Sequence, residues 1–216
     1  MPLYKTITIN SEAKILIWKL EETIEKLSSD IQLSSSCEKR LNYLKSELHR
    51  RQFLSVRHLL VAAGYAYDDL YYSGNGKPHL RGDNKYISVS HSFNFTGIII
   101  GDQPVGIDIE KRRDKILRIA NKFTPLEEYS TLANDEAVIR KLTIVWGAKE
   151  AVYKIMDEPG ISFLNHIDVE DFNFEDDHTT VTVSYNNKVS RFSTKFIEFE
   201  QFTCVYALSS NLENKD

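Results

Sequence analysis

Cysteine is scarce in this chain, with only Cys37 and Cys204 among 216 residues. That is too few for a disulfide-built secreted scaffold, and their separation lacks metal-ligand spacing, so both read as reduced, unpaired thiols. Long apolar runs are missing as well. No stretch approaches the roughly 18 residues that a membrane-spanning helix needs, and residues 1–5 carry neither the basic start nor the apolar core of a secretory signal. The expectation is a cytoplasmic protein with no membrane partner. Basic charge is not in excess either: 27 Lys and Arg face 31 Asp and Glu, and the net charge of −4 argues against general nucleic-acid affinity. No strict repeat is visible. What is present is ordinary globular material, 42% hydrophobic and 27% charged, enough for one large domain or two small ones.

Patterning predicts helices and strands in two successive blocks. Residues 6–9 read as a short strand, followed at Asn10-Ser11 by a helix cap and an amphipathic helix carrying Ile15, Leu16, Trp18, Leu20, Ile24 and Leu27. Residues 37–63 read as one long helical stretch that displays Lys39, Arg40, Lys45, Arg50, Arg51 and Arg57. The turn Ser73-Gly74-Asn75-Gly76-Lys77-Pro78 precedes a hairpin over 86–91 and 96–101. Residues 111–122 read as an amphipathic helix with Lys111, Lys115, Arg118 and Lys122 along one side. A short helix over 126–132 and a long one over about 136–156 come next, the latter stopped by Pro159-Gly160. Four strands over 168–174, 179–185, 189–200 and 202–208 complete the pattern, and 212–216 reads as a frayed end. Helices followed by antiparallel strands in each half predict an α+β fold of two lobes, 1–102 and 103–216.

Two acidic motifs carry the strongest chemical signal. In Val105-Gly106-Ile107-Asp108-Ile109-Glu110, alternation in a strand puts both carboxylates on one face. In Trp146-Gly147-Ala148-Lys149-Glu150-Ala151-Val152-Tyr153-Lys154, spacing of four aligns Trp146, Glu150 and Lys154 on one helix stripe. Asp108, Glu110 and Glu150 are oxygen donors of the kind Mg²⁺ prefers when it also holds a phosphate. The same residues equally fit the solvated side of an edge strand and a surface ion pair. Gly76-Lys77-Pro78 offers a cation on a fixed turn, Ser88-Val89-Ser90-His91-Ser92 a histidine between hydroxyls, and Arg50, Arg51 and Arg57 a phosphate clamp or a basic solvated face.

The order of these motifs is what distinguishes them: Gly-Lys-Pro, Ser-His-Ser, Gly-Ile-Asp-Ile-Glu, Phe123-Thr124-Pro125-Leu126-Glu127-Glu128-Tyr129, then Trp146 through Lys154. In that order they resemble the 4′-phosphopantetheinyl transferase superfamily, specifically its monomeric Sfp-like group, over 76–160 and more loosely elsewhere. The resemblance implies two pseudo-symmetric α+β lobes, each with helices on a small antiparallel sheet, and an active site in the cleft between them. It implies transfer of the phosphopantetheine arm of coenzyme A to a serine of an apo acyl or peptidyl carrier protein, with release of adenosine 3′,5′-bisphosphate. Asp108, Glu110 and Glu150 would then ligate Mg²⁺, for which Mn²⁺ could substitute. Lys154 would stand beside the pyrophosphate, and Glu150 would serve the serine as base, directly or through water. Lys77 and Pro78 would line the adenine end, Ser90 and His91 a phosphate, and one of Arg50, Arg51 and Arg57 the 3′-phosphate.

Three departures from the resemblance stand out, the first being that Gly76-Lys77-Pro78 lacks the further proline that often follows it in relatives. Gly147 occupies a position where relatives usually carry a small hydroxyl or thiol residue, and the loop after Lys154 is longer than the usual glycine-bearing turn. The stripe Lys111, Lys115, Arg118 and Lys122 is the expected docking face for an acidic carrier. A coenzyme A-binding protein without transfer activity, and a Mg²⁺-dependent coenzyme A hydrolase, are the alternatives from other classes.

Overall fold

The computed structural model describes residues 3–9, 11, 13–125, 129 and 132–209. Their contacts divide the chain into two compact units, 1–103 and 104–216. Both are α+β. No helix among the described residues is long and apolar enough to cross a membrane.

Unit 1 is built on a four-stranded antiparallel sheet in the order β1-β2-β6-β5, with β1 Leu3–Thr8, β2 Ala13–Lys19, β5 Tyr86–Ser92 and β6 Phe95–Gly101. The predicted helix through Ile15 and Trp18 is instead the inner strand β2. Its run Ile15, Leu16, Ile17, Trp18 is buried throughout, paired with β1 on one side and β6 on the other. A short unbroken apolar run fits a buried strand as well as a helix, and here the two β-branched isoleucines favour the strand. Asn10, the supposed cap, lies outside the described residues. The helix begins later, as α1 Ile24–Ser29, where the Thr23 side chain accepts from the Lys26 amide.

The expected single helix over 37–63 is two, α2 Ser35–Tyr43 and α3 Glu47–Ala62. Leu44 is extended, and the Ser46 hydroxyl accepts from the His49 amide to start α3 afresh. A serine able to cap a new helix gives the chain a local alternative to continuing the old one. α3 lies on the sheet through Leu54, Val56, Leu59 and Leu60, which share a core with Leu16, Trp18, Ile98 and Ile100. A two-stranded ribbon, β3 Leu70–Tyr72 and β4 Pro78–Leu80, flanks the turn at 73–77. The hairpin β5–β6 forms as expected.

Unit 2 is a five-stranded antiparallel sheet in the order β7-β11-β10-β9-β8, covered by one long helix, α4 Asp135–Met156. The strands are β7 Val105–Lys111, β8 Ile167–Val169, β9 His178–Tyr185, β10 Lys188–Phe199 and β11 Phe202–Ser209. β8 is shorter than the strand expected over 168–174. The amphipathic helix expected over 111–122 is not formed. Lys111 still belongs to β7, paired with Phe202, and the Arg112 amide donates to the Gln201 carbonyl at 2.9 Å. Two short 3₁₀ turns follow, Asp114–Arg118 and Ala120–Lys122, with no side-chain cap. They still bury Ala120 and Phe123 fully while Lys115, Arg118 and Lys122 stay exposed, so the predicted sidedness holds without the α-helix. The helix expected over 126–132 falls mostly outside the described residues, as does 212–216. Cys37 and Cys204 are both buried, and neither forms a disulfide among the described residues.

Candidate active site

The acidic centre of unit 2 forms where α4 crosses β7. Val105, Ile107 and Ile109 point to one face of β7, while Gly106, Asp108 and Glu110 point to the other. That second face is covered by the helix rather than by water. A Cβ added at Gly106 would stand 1.9 Å from the Ala151 carbonyl oxygen, so only glycine lets the α4 backbone come this close. The polar residues of β7 are therefore not the solvated side of an edge strand: Asp108 is 6% exposed.

Lys154, on the last turn of α4, donates to Asp108 Oδ1 at 2.8 Å and to the Ile107 carbonyl at 2.7 Å. Glu150 lies one turn earlier on the same stripe. Burial pushes its carboxyl up to about 7, and the like charges of Asp108 and Glu110 push the same way, while Lys154 partly offsets them. Three carboxylates and one ammonium thus sense one another. Among the described residues, no three His, Cys, Asp or Glu side chains are gathered as a preformed metal cluster. The donor set is nevertheless all oxygen, partly buried and mutually repelling, which suits a hard divalent cation.

A different lysine escaped the sequence reading. Lys149, beside Glu150, is 3% exposed and donates to the carbonyls of Phe123, Phe163 and Ile167. All three protons of its ammonium are used in tying Phe123 after the 3₁₀ turns, Phe163 in the loop after α4 and Ile167 at the start of β8 to the helix. Trp146 and Tyr153 continue that contact, with ring centroids 5.3 Å and 5.4 Å from Phe163. The signal that could have found it is its helical spacing from the apolar Leu142, Val145 and Val152, off the stripe that carries Glu150 and Lys154.

In the interval 104–207, which holds β7, α4 and the strands around them, the sequence matches a known family. The match is to the 4′-phosphopantetheinyl transferase superfamily, over residues 104–207. A relative named 4′-phosphopantetheinyl transferase psf-1, from Bacillus pumilus, is 36% identical over 93 residues. That match covers 42% of this chain and 40% of the relative's length. The family expected from the order of the motifs is thus the one found.

The transferase-like residues expected in unit 1 do not all share one place. Arg50 Nε donates to the Leu44 carbonyl at 2.7 Å, and Arg51 to the Leu20 carbonyl at 3.1 Å. Both help brace the backbone around α3. Arg57 differs. It is 2% exposed, lies 3.9 Å over the Phe53 ring, and donates to Cys37 Sγ at 3.7 Å, while its Nε has no hydrogen-bond partner. It lines a cavity of about 530 Å³ together with Ser34, Arg40, Asp68, Tyr72 and Arg81. Arg40 stands 4.2 Å over the Tyr72 ring and Arg81 5.4 Å over Tyr71. Arg40 was visible in the sequence only as one more basic residue, and Arg81 not at all, because their relation to Arg57 depends on how the β3–β4 ribbon folds back.

Lys77 and Pro78 sit where the turn enters β4, closed by the Ser73 amide donating to the Lys77 carbonyl at 3.0 Å. Gly76, at φ +87°, supplies the left-handed residue that this turn requires. Ser90 and His91 are adjacent on β5 and therefore face opposite sides: Ser90 is buried, His91 exposed. The His49 ring of α3 lies 6.5 Å from that of His91, a neighbour that sequence separation conceals.

Proposed function

We propose that the protein transfers the 4′-phosphopantetheine arm of coenzyme A to a serine hydroxyl of an apo acyl or peptidyl carrier protein, releasing adenosine 3′,5′-bisphosphate, and that it works as a cytoplasmic monomer. The observation that carries this reading is the Asp108, Glu150 and Lys154 centre lying within the matched family interval.

In this reaction the serine oxygen bonds to the β-phosphorus of coenzyme A, and the phosphoanhydride bond to the adenosine 5′-phosphate breaks. Glu150, one helical turn before Lys154, is placed to take the serine proton, directly or through water. The Lys154 ammonium serves the departing phosphate, where negative charge grows. Asp108 and the Ile107 carbonyl hold that ammonium in place. Asp108, Glu110 and Glu150 would hold Mg²⁺, which when bound supplies neutralisation of the pyrophosphate charge.

For the nucleotide end, Arg57 with Arg40 and Arg81 is the better-supported phosphate clamp, because Arg50 and Arg51 already donate to backbone carbonyls. Lys77, Pro78, Ser90 and His91 complete the proposed coenzyme A contacts. The exposed Lys115, Arg118 and Lys122, with the half-buried Lys111, form the proposed carrier-docking face.

The deciding experiment is incubation with coenzyme A, Mg²⁺ and a panel of apo carrier proteins, read by carrier mass, with Glu150→Gln as control. A mass gain equal to one phosphopantetheine arm, absent with the variant, is the expected result. No gain with any carrier, together with tight coenzyme A binding, would replace transfer with a binding role. Adenosine 3′,5′-bisphosphate release without a modified carrier would replace it with hydrolysis.

A further inference from the structure

Gly147 is an odd residue for the middle of a helix, since glycine is a weaker helix former than any residue but proline. Its surroundings explain it. A Cβ at this position would stand 2.7 Å from Val205 Cγ2, 3.3 Å from Val205 Cβ and 3.9 Å from Asp108 Oδ2. Val205 is the residue of β11 directly opposite Asp108 in the β11–β7 register. Cross-strand partners share a sheet face, so the valine methyl groups and the Asp108 carboxylate stand side by side beneath α4. Val205 is 1% exposed and β-branched, which leaves it few rotamers with which to give way.

Gly147 and Ala151 are one turn apart on the stripe that also carries Glu150 and Lys154. At Ala151 the helix backbone rests on Gly106, where any Cβ is excluded at 1.9 Å. At 147 it rests on the Val205 side chain. These two supports fix the height of α4 above β7 at both ends of the turn that bears Glu150. A side chain at 147 would lift one end and tilt Glu150 away from Asp108 and Glu110.

We propose that Gly147 and Val205 are a matched pair of positioning residues that set the spacing at which Asp108, Glu110 and Glu150 engage one divalent cation. This rests on the reading of those three carboxylates as a cation site. The valine fills the space that the glycine vacates, so a side chain at 147 requires a smaller residue at 205.

The test is Mn²⁺ binding by calorimetry to the full chain, without coenzyme A or carrier, for wild type, Asp108→Asn, Gly147→Ala, Val205→Ala and the double variant Gly147→Ala/Val205→Ala. Wild type should bind and Asp108→Asn should not. Gly147→Ala should weaken binding by about tenfold, the scale expected when a residue orienting a ligand is disturbed. The double variant should return to within about threefold of wild type, a coupling expected only of residues in contact. It should also melt above Val205→Ala alone, because alanine is the better helix former once the clash is gone. If Gly147→Ala does not fold, the double variant must fold and bind within about threefold of Val205→Ala. Gly147→Ala binding like wild type, or a double variant as weak as Gly147→Ala, overturns the pairing while leaving the cation site intact. Wild type failing to bind Mn²⁺ overturns the cation site itself, and the pairing with it.

Discussion

Lys154 and Asp108 form an ion pair, Nζ to Oδ1 at 2.8 Å, in which the carboxylate side chain is 8% exposed and the ammonium 28%. The pair joins the last turn of α4 to the edge strand β7, and a second bond to the Ile107 carbonyl fixes the ammonium. Replacing Lys154 therefore removes both an electrostatic group and the partner of a buried charge. Lys154→Met should lower kcat by about 10² or more, the scale seen when a charge-stabilising donor is deleted. It should also lower the stability of the metal-free protein by about 3 kcal/mol, because Asp108 is left buried without its cation. Single-turnover kinetics and denaturant melts separate the two effects. Unchanged chemistry with reduced stability would make Lys154 a structural residue only.

Glu150 predicts a pH dependence with a definite sign. Its folded-state carboxyl is raised from 4.5 to about 7, mainly by burial and then by Asp108. Between those values the folded protein binds more protons than the unfolded chain, so stability falls as pH rises through this window. Metal-free protein should thus be more stable near pH 5 than near pH 7.5, and Glu150→Gln should flatten that slope. Denaturant midpoints across the range test this, and a slope unchanged in the variant would show that Glu150 does not hold the proton.

At the cavity of unit 1, Arg40 and Arg81 are exposed enough to be removed without opening the core, unlike Arg57. Arg40→Ala and Arg81→Ala should each raise the KM for coenzyme A by about tenfold with kcat little changed, as expected for loss of a charge-assisted contact made equally in ground and transition states. The KM for dephospho-coenzyme A, which lacks the 3′-phosphate, should not move. Equal losses with both substrates would take the 3′-phosphate out of this cavity.

The basic surface after β7 survives as a surface although it is not an α-helix. Reversing charge at Lys115 and Arg118 should raise the KM for an acidic carrier by about tenfold and weaken its salt dependence. Coenzyme A affinity, measured by calorimetry on the same variant, should be unchanged. A carrier KM equal to wild type would remove this face from the docking surface.

Much of this was legible because it depends on local pattern. The alternation of 105–110 and the four-residue spacing of Glu150 and Lys154 are properties of a strand and a helix, whatever those elements pack against. The hairpin β5–β6, the turn at 73–77 and the length of α4 follow from composition in the same way. The errors arose where local pattern is ambiguous. Ile15 to Trp18 suits either a helix or a buried strand, and only pairing with both β1 and β6 makes it a strand. Lys111 to Lys122 has helical sidedness, but continued pairing of Lys111 with Phe202 spends its first residue on the sheet.

Sequence by itself determined the family that residues 104–207 match, the carboxylates and their common face, because motif order and residue period need no third dimension. Only tertiary structure decided that this face meets a helix instead of water, that Arg57 joins Arg40 and Arg81 around one cavity while Arg50 and Arg51 brace backbone, and that Gly147 answers to Val205. Those relations join residues from distant parts of the chain, and their energies come from burial, steric exclusion and like-charge repulsion. Such forces exist only after the strands have found their register and α4 has settled on Gly106.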